Sequence, residues 1–197
     1  EAAAALRTKF KFPEIEIKNE QENINDYLNG VEIEDKSLCS RFYVKVIKDI
    51  KIGPSPLWMQ RTLMDAGMRP VNNIVDVTNY VMLELGQPLH AYDLKVLNGR
   101  KLIARSAKES EKIVTIDQVE RSLDKDTLVI ADSEKPACIA GVMGGYYSEI
   151  NDSTEIMVLE SANFNPKSIR MTSKKLGMRS EASARNEKPM GYAMVEL

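Results

Sequence analysis

The feature that most constrains this chain is a change in the period of its apolar residues. From Lys101 to Glu160 they fall in short runs bounded by polar turns: Leu102 to Ser106, Ile113 to Ile116, Leu128 to Ala131, Ala137 to Ala140 and Ile156 to Glu160. That is the pattern of strands in an antiparallel sheet. Between Ser55 and Leu85 the spacing is helical instead. Ile74, Val77, Val81 and Leu85 would share one face of a helix running from Asn73 to Leu85 and closed by Gly86. Val75 and Val77 are β-branched, so packing rather than propensity must decide that helix. An earlier helix is predicted with Ser55 as N-cap and Pro56 at its first position, passing Trp58 and Leu63 and stopping at Gly67. Arg41 to Asp49 alternates well enough for a half-buried strand, and Gln87 to Asp93 reads as an irregular loop. A third helix is predicted with Asn165 as cap and Pro166 first, ending at Gly177 after Lys174 and Lys175, cations suited to the negative end of a helix. Two helices, a block of strands and one more helix are segregated along the chain, which argues α+β rather than a doubly wound parallel sheet.

The 197 residues suit one domain or two small modules sharing a core. Net charge is −2, so any contact with nucleic acid must come from a local patch rather than a basic fold. Cys39 and Cys138 stand far apart, which is neither a disulfide framework nor a metal cluster, and a reducing, cytoplasmic setting is the simplest reading. No apolar run approaches the length of a membrane span and no signal peptide is visible. Lys9 to Ser37 is polar and acidic and reads as an entry strand and linker with little core, Pro13, Ile15 and Ile17 giving a weak edge-strand signal. Glu1 to Leu6 is alanine-rich and helix-prone. The sequence contains no phosphate loop of the Walker type and no serine elbow, and it has a single histidine, His90.

Three stretches carry a more specific signal. They are Gly67-Met-Arg-Pro-Val-Asn-Asn-Ile-Val-Asp-Val-Thr-Asn-Tyr through Gly86-Gln-Pro-Leu-His-Ala-Tyr-Asp93, the glycine turn Ile139-Ala-Gly-Val-Met-Gly-Gly145, and Val158-Leu-Glu-Ser-Ala-Asn-Phe-Asn-Pro166 continuing to Leu176-Gly-Met-Arg-Ser-Glu-Ala-Ser183. In order and spacing they resemble the β chains of bacterial phenylalanine–tRNA synthetases, over roughly Cys39 to Arg185. The family usually continues with an aromatic residue and then Glu-Lys-Gly, whereas this chain has Asn186 and Pro189. The resulting division is an entry segment at 1–38, an editing domain at 39–188 and a divergent tail at 189–197.

The resemblance implies a layered β/β/α sandwich of mostly antiparallel short strands with about three helices. It implies a pocket that hydrolyses tyrosine mischarged onto the tRNA for phenylalanine. ATP and magnesium would serve the complete synthetase, leaving no cofactor and no metal here. The implied partners are that tRNA, the mischarged tyrosine and the synthetase α subunit of a heterotetramer, with no membrane and a cytoplasmic location. The physical need is clear. An apolar synthetic pocket rejects an added hydroxyl only modestly, whereas a second pocket with a buried acceptor leaves that acceptor unpaired when phenylalanine enters, at a cost of about 1–3 kcal/mol.

By resemblance Glu160 recognises the phenol and His90 positions the attacking water or the terminal ribose, which makes these two the candidate catalytic residues. The Gly144 N–H would frame the ring, Asn79 would line the pocket, and Ser180 and Ala182 would leave room for an aromatic side chain. Arg69 would hold a phosphate of the terminal adenosine through its planar fork. Each has a plainer reading: an end-of-strand surface carboxylate for Glu160, a satisfied core residue for His90, helix-surface polarity for Asn79, turn chemistry for Ser180 and Ala182, and a tied-down loop for Arg69. The competing function is a non-catalytic tRNA-binding or scaffold module that keeps the fold.

Overall fold

A computed structural model describes residues 2–11, 22–191 and 195. The edge-strand signal at Pro13, Ile15 and Ile17 lies outside the described residues. Helix α1 (Ala2–Ala5) is followed by β1 (Gly30–Ile33), β2 (Cys39–Lys48), α2 (Leu57–Asp65), α3 (Asn73–Leu85) and β3 (Leu89–Asp93). Then come β4 (Lys101–Ser106), β5 (Lys112–Val114), β6 (Glu120–Ser122), β7 (Leu128–Ala131), β8 (Pro136–Ile139), β9 (Met143–Gly144), β10 (Ile156–Phe164), α4 (Pro166–Lys175) and α5 (Glu181–Asn186).

The strands form a five-stranded sheet in the order β1-β4-β7-β8-β9, a three-stranded sheet β2-β10-β3 and the hairpin β5-β6. Among the described residues every pairing is antiparallel except β1 with β4. The two larger sheets share one core. Tyr92, Val158 and Ala162 from the three-stranded sheet belong to the same buried cluster as Leu102, Ile130 and Ile139 from the five-stranded one, joined by Ile169 of α4. The expected α+β architecture is what the chain adopts. Among the described residues three helices are longer than two turns, and none is long and apolar enough to cross a membrane.

Local chemistry explains the elements that were legible. Asn72 caps α3, its side chain accepting from the N–H groups of Ile74 and Val75, and Gly86 closes it at φ +80°. Asn165 caps α4 in the same way with Pro166 behind it.

Five expectations need correction. Ser55 does not cap α2. Its buried hydroxyl donates to the carboxylate of Asp76, and Pro56 takes the N-cap position without a side-chain bond. That same carboxylate accepts from the Val71 N–H at 2.8 Å, so Asp76 ties the starts of α2 and α3 together. As a result α3 buries Asp76, Thr78 and Met82, and Val77 is exposed rather than on the inner face. The segment read as a loop before Asp93 is strand β3, ordered by pairing with β10. Strand β10 runs past Glu160 to Phe164, with a register shift at Asn163 and Phe164. Finally, the stretch read as an entry strand and linker with little core supplies β1, an edge strand beside β4, and the buried Leu28.

Candidate functional site

Strand β3 lies antiparallel to β10 with His90 directly opposite Glu160 and Tyr92 opposite Val158. Side chains directly opposite project to the same face of a sheet, as do residues two apart on one strand. His90, Tyr92 and Glu160 therefore form one constellation. The Tyr92 hydroxyl donates to Glu160 Oε2 and lies 3.1 Å from Cys138 Sγ. The His90 and Tyr92 rings meet edge to face, with centroids 4.6 Å apart. Glu160 is only 5% exposed. Burial pushes its carboxyl up to about 7, and the hydrogen bond from Tyr92 opposes that rise. Burial also pulls the His90 imidazole down to about 4. Its Nε2 is shielded from solvent and has no hydrogen-bond partner among the described residues.

The glycine turn closes over the imidazole. Gly144 pairs with Cys138 across β8 and β9, and its carbonyl accepts from the Ile116 N–H at 3.0 Å. A Cβ at Gly144 would stand 2.6 Å from His90 Cε1 and 3.0 Å from Nε2. The ring thus rests on bare backbone, and only glycine leaves that space.

These groups face a cavity of about 440 Å³, walled largely by apolar side chains such as Val75, Met82, Ile139, Val142 and Phe164. His90, Glu160, Gly144, Asn79, Ser180 and Ala182 all line it. Among the described residues the Asn79 amide makes no hydrogen bond, leaving donor and acceptor for a ligand. Ser180 is already engaged. Its hydroxyl accepts from the Ser183 N–H as N-cap of α5 and donates to the Val142 carbonyl at 2.8 Å, so it shapes the wall and pins the glycine turn. Arg69 stands apart. It is exposed on the loop between α2 and α3, and its neighbours Met68 and Val71 line the cavity while it does not.

Sequence reasoning passed over three residues. Tyr92 and Cys138 sit beneath Glu160; Tyr92 falls inside the first quoted stretch, but its role depends on a partner on a distant strand. Asn186, where the resembling family has an aromatic residue, lines the cavity. Its amide donates to the Gly141 carbonyl at 3.2 Å, and its Oδ1 is buried without a partner among the described residues. That departure from the motif was the available signal. Among the described residues no group of three or more His, Cys, Asp or Glu side chains could hold a metal ion.

Two open sheets around a shared core, with an apolar cavity between a glycine turn and a buried carboxylate, define an α+β domain with one candidate site. The chain belongs to the B3/4 domain family, whose model matches residues 38–197. It is similar to the phenylalanine–tRNA ligase β subunit of Carboxydothermus hydrogenoformans, at 50% identity over 187 residues, which is 95% of this chain and 23% of that protein. To the β subunit of Bacillus subtilis it is 47% identical over 197 residues, 100% of this chain and 24% of that one. The chain thus spans about a quarter of the length of these curated relatives. A crystal structure of an N-terminal fragment of the phenylalanyl-tRNA synthetase β-subunit from Pyrococcus horikoshii matches with a TM-score of 0.53 at 10% identity. It covers 86% of this chain and 51% of that one, a likeness of fold.

Proposed function

We propose that this chain is the proofreading module of a phenylalanine–tRNA ligase β subunit, which hydrolyses the ester joining tyrosine to the tRNA for phenylalanine. One observation carries the reading: a buried carboxylate, Glu160, on the wall of an apolar cavity and already accepting a hydrogen bond from a phenol, that of Tyr92. A carboxylate offers about four lone-pair sites, and Tyr92 uses one oxygen. A tyrosine side chain in the cavity supplies a second phenolic donor, while a phenylalanine side chain supplies none. The cavity is of the size that small-molecule sites usually have, about 300–1,000 Å³.

In the reaction, a water oxygen bonds to the ester carbonyl carbon. The bond from that carbon to the ribose oxygen then breaks, and the water proton ends on the released ribose hydroxyl. An imidazole held neutral down to about pH 4 is a weak base, so His90 contributes orientation, its ring forming part of the cavity wall against which the water or a ribose hydroxyl would be positioned. Orientation alone is a large effect in intramolecular models. Glu160 anchors the far end of the substrate, Asn79 offers its free amide, Gly144 leaves room for the imidazole, and Ser180 and Ala182 keep the wall shallow. Arg69, exposed on the loop between the cavity-lining Met68 and Val71, would meet a phosphate of the terminal adenosine. The hydrolysis uses no cofactor. Aminoacylation, with its ATP and magnesium, would belong to the rest of a cytoplasmic heterotetramer that includes the α subunit.

Deacylation of tyrosyl- and phenylalanyl-tRNA by the wild type and by Glu160→Ala tests this. A preference for the tyrosyl ester that vanishes in the variant supports proofreading. Equal inertness toward both esters in the wild type would instead leave a non-catalytic tRNA-binding or scaffold module.

A further inference from the structure

A second cleft, of about 340 Å³, opens beside the C-terminal half of α4, and Arg170, Lys174 and Arg179 line it together with Glu187. Three cations against one carboxylate stand out in a chain whose net charge is −2. Arg170 and Lys174 are one helical turn apart, so they project from the same face of α4. Like charges at that spacing repel and weaken a helix. Among the described residues none of the three side chains makes an ion pair or a hydrogen bond, whereas Lys175 pairs with Asp124 and Arg185 with Glu181. The helix C-terminus accounts for a cation in its last turn, but Arg179 lies beyond the helix.

The turn that carries Arg179 is fixed in place. Met178 is buried, its N–H donates to the Ser173 carbonyl at 2.9 Å, and the Ser173 hydroxyl donates back to the Met178 carbonyl. The lining of the cleft continues along the chain into that of the main cavity. Arg179 precedes Ser180, which lines that cavity, and Glu187 follows Asn186, which does too. The N-cap Ser180 and helix α5 connect the two sets of lining residues along the chain.

We infer that Arg170, Lys174 and Arg179 form a phosphate-binding track that holds the sugar–phosphate backbone of an RNA strand whose end enters the main cavity. This rests on the proofreading reading and extends it to residues that reading does not use. Guanidinium forks and an ammonium on one wall suit phosphate oxygens, and the main cavity selects an RNA end over an acidic protein.

The test is binding, not hydrolysis, so it can fail or succeed independently of the deacylation experiment. Anisotropy of a fluorescein-labelled short RNA ending in CCA, with uncharged tRNA as competitor, is followed across a potassium chloride series. Arg170→Gln and Lys174→Gln, both exposed and away from the core, each weaken binding several-fold. Each also flattens the plot of log affinity against log salt by about 0.7, the value for one lost single-strand phosphate contact. Lys167→Gln, an equal charge change on the first turn of α4 outside the cleft, leaves affinity and slope at the wild-type values. The inference is overturned if the cleft variants match Lys167→Gln, or if the slope stays at the wild-type value while affinity falls. It is also overturned if poly-glutamate of equal charge competes as well as RNA, which would make the cleft a contact for acidic protein.

Discussion

Replacing Gly144 with alanine should damage the site through a single contact. Gly144 has ordinary extended backbone, so alanine meets no conformational penalty there, and the whole effect is steric. The new Cβ would stand 2.6 Å from His90 Cε1 and 3.0 Å from Nε2, well inside the separation of about 3.5–4.0 Å at which carbon atoms attract. The imidazole cannot yield freely. Its other side meets the Tyr92 ring edge to face at 4.6 Å, and the Gly144 backbone is held by β8 and by the Ile116 N–H. Overpacking of this kind costs about 1–3 kcal/mol. Urea denaturation of the wild type, Gly144→Ala, His90→Ala and the double variant measures it. The cost of the alanine should be large in the wild type and close to zero once His90 is removed, giving a coupling energy of about 1–2 kcal/mol. Equal costs in both backgrounds would refute the proposed contact. So would wild-type stability in Gly144→Ala.

Burial shifts the two titratable residues of the site in opposite senses, which has a signature in stability. Folding favours protonated Glu160, whose pKa rises from 4.5 to about 7, so its contribution is present at low pH and is lost as pH rises through 7. His90 falls from 6.5 to about 4, so its contribution is present above 6.5 and is lost as pH falls toward 4. Between pH 4.5 and 6.5 the two slopes oppose. Glu160→Gln removes one of them, and its stability relative to the wild type should climb by roughly 1 kcal/mol per pH unit across that window. A parallel pH profile for the two proteins in chemical denaturation would contradict the burial of an ionisable Glu160. Ala182→Trp should fill the cavity and abolish cleavage of tyrosyl-tRNA while the fold survives. Retained cleavage in that variant, with an unchanged circular dichroism spectrum, would remove Ala182 from the pocket wall.

What was legible in the sequence was local. The boundaries of α3 and α4 could be read because Asn165, Pro166 and Gly86 act within a turn of where they stand. Strand β7 could be read from Leu128 to Ala131 because its residues are buried on both faces and form an unbroken apolar run. What was missed depends on distant partners. Strand β3 looks irregular by itself and is ordered by a strand whose Glu160 is 70 residues further along. Ser55 carries the chemistry of an N-cap, but Asp76 across the interhelical loop takes its hydroxyl. The inner face of α3 was misassigned because a buried aspartate turned the helix away from its most apolar stripe. For the site, the motifs marked six residues that line one cavity. They could not disclose that Tyr92 reaches Glu160 from two positions beyond its cross-strand partner, nor that the Ser180 hydroxyl is spent on a cap and a carbonyl.

The most direct measurement is a crystal structure of the protein soaked with tyrosine. The account predicts the amino acid in the cavity between the glycine turn and β10, its phenolic oxygen within hydrogen-bond distance of Glu160 and its carboxyl end toward His90. Tyrosine bound elsewhere, or phenylalanine occupying the same place as fully under the same soak, would contradict it.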